Sequence, residues 1–208
     1  MGQEDKVQTL ISKLLTLKHL DSSCAVFGSQ RHKYSLRTKK TESEVSDFEK
    51  RFGILLPTGY RLFLTRAGNG GAGPYYGLES LEHSLFRDLD YYREGEFLDP
   101  SKPFPFSEPW NMTFEQGNVN GDEEYRKFEE QYYDHKWVTG LLRVCNFGCG
   151  VSVNLVVNGP EYGNISVDDR CNDGGIYPEP YSGQERRKDV LTWYEFWLDE
   201  SIKEVQNR

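Results

Sequence analysis

The residues that could do chemistry in this chain are few. Asp168-Asp169-Arg170, with Asp173 just beyond, is the sharpest polar cluster, and it follows a strand-like stretch. Carboxylates so placed can hold a metal or act as acid and base. Adjacent residues on a strand point to opposite faces, however, so Asp168 and Asp169 do not converge by themselves. The plainer reading is an Asp-rich turn whose carboxylates accept backbone N–H bonds, with Arg170 as an ion-pair partner. The four histidines, His19, His32, His83 and His135, are scattered and sit in no recognisable nucleophile or metal motif. Cys145-x3-Cys149 looks like half a metal site, but a structural zinc needs two more ligands at suitable spacing. The loop Gly68-Asn69-Gly70-Gly71-Ala72-Gly73-Pro74 follows a helix-like stretch. A phosphate cradle needs the reverse order, strand, glycines, then helix N-terminus. The expectation is no catalytic residue, no metal and no cofactor. A metal-dependent enzyme using Asp168, Asp169 and Asp173 stays as an alternative.

The elements that must position these groups read as helices, then strands, then a closing helix. Val7, Leu10, Ile11, Leu14 and Leu15 share one helical face. Residues 28–40 are basic and without period, a linker or an exposed edge. Thr41 with Glu44 makes a capping box that opens a helix carrying Val45, Phe48 and Phe52, closed by Gly53. Pro57 begins another, with Tyr60, Phe63, Leu64 and Ala67 inward, feeding a strand around Tyr75–Leu78. Residues 81–93 and 122–133 are acidic, rich in Tyr and Phe, and read as helical. Between them four prolines in residues 100–110 impose an extended loop anchored by Phe104, Phe106 and Trp110. Leu141–Cys145, residues 151–157 and Ile165–Asp168 read as strands, the second with one face in the core. A last helix runs from about Lys188, with Val190, Leu191, Tyr194, Trp197, Leu198 and Ile202 inward. This order predicts a single α+β domain over residues 1–208.

Charge is distributed unevenly. The chain of 208 residues carries a net −8. Residues 79–134 hold 5 basic and 15 acidic side chains, a net −10, while residues 1–78 are at +5 and residues 135–208 at −3. An acidic surface repels nucleic acid and attracts basic partners. No stretch approaches the roughly 20 apolar residues that span a bilayer. The start, MGQEDKVQTL, carries two acids and no apolar core of a signal peptide. A cytoplasmic protein with free thiols at Cys24, Cys145, Cys149 and Cys171 is expected, with no membrane or nucleic-acid partner.

Three blocks together resemble the SUKH superfamily, named partly for a fungal (Smi/Knr) regulator of cell-wall assembly. The first is Leu56-Pro57-x-x-Tyr60-x-x-Phe63-Leu64 running into Gly68–Leu78. The second is Gly140-Leu141-Leu142, then Gly148-Cys149-Gly150 and Leu155–Gly159. The third is Gly163-Asn164-Ile165-x-Val167-Asp168-Asp169-Arg170, then Asp173-Gly174-Gly175-Ile176-x-Pro178, ending in Trp193-Tyr194-Glu195-x-Trp197-Leu198-Asp199. The resemblance covers about residues 41–200, as a family core carrying an acidic insertion at about 79–134. Residues 1–40, an N-terminal helix and basic connector, add little to it. The chain departs from many relatives at Ser166, where they carry Trp.

The resemblance implies a central mixed or antiparallel sheet with flanking helices and no catalytic residues. Many bacterial members look like immunity proteins paired with nuclease toxins. Fungal relatives look like interaction hubs, so a cytoplasmic regulatory or scaffold protein is the alternative. An immunity protein would cover the basic groove of a toxin's nuclease-like C-terminal domain, and acidic residues with tyrosines suit that task. The expected partner-binding residues are Asp88, Asp90, Tyr91, Tyr92, Asp122, Glu123 and Glu124, with Tyr75, Glu161 and Tyr162 at the margin. Asp168, Asp169, Arg170 and Asp173 are expected as a structural turn cluster. The expected state is a monomer or weak homodimer.

Overall fold

A computed structural model of the chain describes residues 2–91, 93, 96–114, 121–179 and 188–208. Among them are six helices and four strands: α1 Gln3–Leu20, α2 Ser29–His32, α3 Glu42–Phe52, α4 Thr58–Leu62, α5 Gly121–Tyr132 and α6 Val190–Gln206, with β1 Leu141–Gly148, β2 Val151–Val156, β3 Ile165–Asp168 and β4 Ile176–Pro178. The strands form one antiparallel meander in the order β1-β2-β3-β4. The architecture is α+β in a single domain.

Local sequence explains the helix boundaries. Thr41 and Glu44 exchange both bonds of the capping box, and Gly53 ends α3 at φ 64°, where a side chain is disfavoured. Pro57 stands just before α4, which widens into a π turn over Phe63–Ala67. Asp189 caps α6 through the N–H groups of Leu191 and Thr192. Along α1 the buried side is Val7, Leu10, Leu14 and Leu17, whereas Leu15 is 62% exposed. A broader stripe was expected. α1 packs on α6, α4 and the π turn through this one side, and Lys13 at the edge of the α6 seam pairs with Glu195 at 2.9 Å and Asp199 at 2.7 Å.

Two expected elements are replaced. Residues 75–78 form no strand: Tyr75 and Gly77 take φ 52° and 97°, and only Leu78 bridges, to Gly71 and to Cys145. The chain doubles back there instead of extending. The described residues of 81–93 form no long helix, only the 3₁₀ turn His83–Leu85. Beyond it, the Asp88 carboxylate accepts the N–H groups of Asp90 and Tyr91, a local bond that competes with helix. The basic stretch 28–40 is partly ordered as α2, buries Tyr34 and bridges Leu36 to Gly71.

The sheet divides two cores. Leu142, Val144, Val153, Leu155 and Ile165 join α1, α3, α4 and α6 in the main core. On the other face Leu141, Val156 and Ile176 pack with Leu98, Phe104 and Val138 in a smaller one. Phe106, Trp110 and Trp137 close this second core, with Phe106 stacked 4.9 Å from Trp110. Trp110 also bonds Ile176 in both directions, at 2.8 and 2.7 Å, so the proline-rich loop extends the sheet past β4. Every residue of β2 is therefore buried, where period-two alternation predicted one covered face. The loop over 98–110 covers the Val156 end of the second face, and Arg143 packs across Ser152 and Asn154 at the other.

Candidate functional site

The second face of the sheet is apolar at one end and polar at the other. Register places Arg143 opposite Asn154, Asn154 opposite Ser166, and Ser152 opposite Asp168, all on this face. Over them opens a cleft of about 330 Å³. One wall is Arg87–Asp90 with Glu96, and the other is Tyr133 and His135, directly after α5.

Buried ion pairs form its floor. Arg170 grips Asp168 with two bonds, Nε to Oδ1 at 2.7 Å and Nη2 to Oδ2 at 2.9 Å. Arg143 reaches Oδ2 of the same carboxylate at 3.3 Å and donates to Ser152 Oγ and Asn154 Oδ1. Nη1 of Arg170 donates to the Tyr132 carbonyl at 2.9 Å, fixing the end of α5 to the sheet. Burial alone would raise the Asp168 carboxyl. The bonds from Arg170 and the charge of Arg143 reverse that and hold it below the usual carboxylate range. Burial holds the His135 imidazole below its ordinary value, with Arg87, Arg170 and Arg143 adding to the effect.

The other acids of the cluster diverge. Asp169 accepts from Asn172 at 2.8 Å and from the Tyr177 hydroxyl at 3.3 Å. Burial, then the Asp169 charge, pushes that phenol up to about 12. Asp173 is exposed with φ 58°; its N–H donates to Arg170 O at 3.1 Å and its carbonyl accepts from Asn111 Nδ2 at 2.7 Å. Both oxygens of Asp168 are occupied by guanidinium groups. Among the described residues no three His, Cys, Asp or Glu side chains are grouped to hold a metal. Cys145 is buried while Cys149 is exposed in the β1–β2 turn, so these two do not converge, and all four cysteines are free thiols.

The expected partner-binding residues fall in three places. Asp90 is tied to the β1–β2 turn by Asn146 Nδ2 at 2.8 Å and Gly150 N at 3.2 Å. Asp88 and Tyr91 lie beside it, both exposed, and Tyr75 reaches the same turn through Phe147, ring to ring at 4.2 Å. Glu123 and Glu124 are exposed near the start of α5, Glu123 paired with Lys127 at 2.8 Å. Tyr133 follows Glu124 by nine residue steps, about 14 Å along the helix axis. Glu161 and Tyr162 occupy the β2–β3 turn, at the opposite end of β2, where the Tyr162 hydroxyl donates to Leu55 O at 3.2 Å. The structure thus gathers Asp88, Asp90, Tyr91 and Tyr75 and separates Glu161 and Tyr162 from them. Tyr92 and the side chain of Asp122 lie outside the described residues.

Sequence reasoning missed Arg143, Asn146 and the aromatic neighbours of the turn. Phe27 and Phe147 are 60% and 42% exposed, and the Tyr76 ring lies tilted 5.4 Å from that of Phe27. Arg143 had a signal: a charged residue inside the apolar run Leu141–Cys145 demands a buried partner. Ser166 is buried and donates to Tyr177 O at 3.1 Å, so the position is interior.

Comparison with known families gives one match. The model of the SMI1 / KNR4 family (SUKH-1) covers residues 39–178, 140 of 208 and so about two thirds of the chain. The matched span runs from just before α3 through β4 and includes the whole cleft. It leaves out α1 and α6, which pack on each other. No curated protein and no solved structure matches the chain.

Proposed function

The chain belongs to the SMI1 / KNR4 family (SUKH-1), and from that premise we propose that it is a cytoplasmic, non-enzymatic immunity protein that neutralises a basic, nuclease-like toxin by covering its active site. The observation that carries this reading is the surface at the β1–β2 turn. There Asp88, Asp90 and Tyr91 stand next to the exposed Phe147 and the half-buried Tyr75. Aromatic side chains anchor interfaces through apolar area, and carboxylates beside them select basic partners. A nuclease groove must attract phosphates, so it carries the complementary charge. The second acidic surface, α5, lies past the other wall of the cleft and widens the negative field. Electrostatic attraction between such surfaces accelerates encounter and weakens with salt.

The test begins with a pull-down from native lysate, followed by expression of any captured domain alone and together with this chain. An immunity protein recovers a domain that is toxic alone and harmless in the pair. Asp88→Lys with Glu124→Lys then weakens that complex at low salt by about tenfold or more and flattens its salt dependence, since each close charge pair contributes about 1.5 kcal/mol or more. Unchanged affinity at low salt rejects this surface. Recovery of cell-envelope regulators without any toxic domain rejects the immunity role.

A further inference from the structure

Backbone pairing does not end at β1. The Glu79 N–H donates to Val144 O at 2.9 Å, and Leu78 bridges to Cys145. Leu78 in turn exchanges both backbone bonds with Gly71, at 2.7 and 2.9 Å. Outside Gly71, the Arg37 N–H donates to Gly70 O and the Ala72 N–H to Ser35 O, both at 2.9 Å, so Leu36 faces Gly71 in an antiparallel bridge. These two bonds use the neighbours of Leu36 and not Leu36 itself. In such a pair the N–H and C=O of the central residue point away from the partner strand. Among the described residues nothing bonds to the Leu36 N–H or C=O. Leu36 is half-buried through its side chain, between exposed Ser35 and Arg37. Residues 35–38 therefore form an open edge of the sheet.

This edge is basic. Arg31, Lys33, Arg37 and Lys39 are exposed, and none of the four makes an ion pair among the described residues. Successive residues of a strand face opposite sides. Leu36 joins the main core, while Ser35 and Arg37 line a cleft of about 240 Å³ on the other side, together with Arg31 and Tyr76. The nearby acids are engaged or buried. Lys40 holds Glu82 at 2.6 Å and Glu44 at 3.1 Å, and Glu79 in the cleft is 7% exposed. Charges along an edge keep off strands that are neutral or of the same sign. They admit a strand of the opposite sign.

We propose that this edge docks an extended acidic segment of a protein partner, which adds as one more strand through the Leu36 N–H and C=O and sets its carboxylates against Arg31 and Arg37. In this mode main-chain bonds supply affinity and alternate side chains supply selectivity. Backbone pairing favours a peptide over nucleic acid or lipid, neither of which presents a matching N–H and C=O. The net charge of −8 also repels long polyanions. The edge is basic where the surface assigned to the toxin is acidic, so the two take different segments, and the edge stands apart from the immunity reading.

The experiment uses the full chain and a fluorescein-labelled nonapeptide of alternating glutamate and valine, read by anisotropy at low salt. Saturable binding that weakens as salt rises is expected. Arg31→Glu with Arg37→Glu weakens it about tenfold or more, and both side chains are exposed, so the fold is kept. The same peptide N-methylated throughout keeps its charges but donates no backbone bond, and it binds several-fold more weakly. By NMR, the Leu36 amide exchanges fast with solvent in the free chain and becomes protected at saturation. No saturable binding, a double variant or an N-methylated peptide that binds like its parent, a Leu36 amide already protected in the free chain, or tighter binding of oligothymidylate or phosphatidylserine vesicles each overturn the proposal.

Discussion

Replacing Asp168 by Asn tests the charge arrangement under the sheet. The substitution keeps the size of the side chain and one acceptor oxygen but removes the carboxylate shared by two buried guanidiniums. Both lie on the side chain at hydrogen-bond distance, Arg170 Nε at 2.7 Å and Arg143 Nη2 at 3.3 Å. Breaking a buried pair by removing one partner costs about 3–5 kcal/mol, because the remaining charge is left uncompensated. Here two charges remain, and arginine stays protonated, so the upper part of that range applies. For a chain of this length each kcal/mol lowers Tm by about 2–4 °C, so the variant should melt about 10–20 °C lower. Arg143→Met should cost much less, since it leaves the Asp168–Arg170 pair intact and one to one. The double variant should recover part of the loss, because one of the stranded charges is gone. Equilibrium urea unfolding at neutral pH, followed by tryptophan fluorescence, measures all three. A loss below about 1 kcal/mol for Asp168→Asn, the range of exposed pairs, or an Arg143→Met variant as damaged as Asp168→Asn, would refute the account of a buried, over-subscribed carboxylate. The pH dependence must agree. A carboxyl held below its usual range stabilises the fold above about pH 4, and that stability is lost in more acidic solution as the group protonates.

Two further expectations follow from particular side chains. Burial lowers His32 to about 4, and its Nδ1 accepts the Tyr34 N–H at 3.0 Å, so protonation there breaks a bond. The unfolded imidazole binds its proton near pH 6.5, so stability is complete above about pH 7 and falls as pH drops toward 4. The ceiling is about 3 kcal/mol, reduced to about 1–2 kcal/mol because the ring is partly solvated. Urea midpoints at pH 5 and pH 7.5 should differ in the wild type and converge in His32→Gln; an equal difference in both excludes the assignment. Gly140 has φ 71°, and a Cβ there would lie 2.4 Å from Phe104 N and 2.6 Å from Asn158 O. Gly140→Ala should therefore cost more than about 2 kcal/mol, combining a left-handed backbone with a clash at the entry to β1, and a variant with unchanged melting would contradict that packing.

The two halves of the surface at the β1–β2 turn differ in kind. Asp90 is structural as well as exposed, because it pins Asn146 and Gly150. Among the described residues Asp88 and Tyr91 make only local or weak contacts, with Arg93 lying 5.8 Å over the Tyr91 ring. Variants at Asp88 and Tyr91 therefore report binding, whereas variants at Asp90 also report the shape of the turn.

Much of the scaffold was determined by the sequence alone. The capping box at Thr41, Gly53 after α3, Asp189 before α6 and the alternation along β2 are local devices, and each acts through bonds or dihedrals within a few residues. The family follows from blocks of the same local kind. Periodicity assigns a residue to a side of its element but says nothing of what will cover that side. The tertiary structure decided that Phe104, Phe106 and Trp110 bury the second face of the sheet, that Leu15 of α1 faces solvent, and that Asp168 is shared by Arg143 and Arg170. It also decided that Asp90 meets the turn after β1 while Glu161 and Tyr162 lie at the other end of β2. Contacts between residues dozens of positions apart depend on how strands pair and loops return, and no local propensity carries that information.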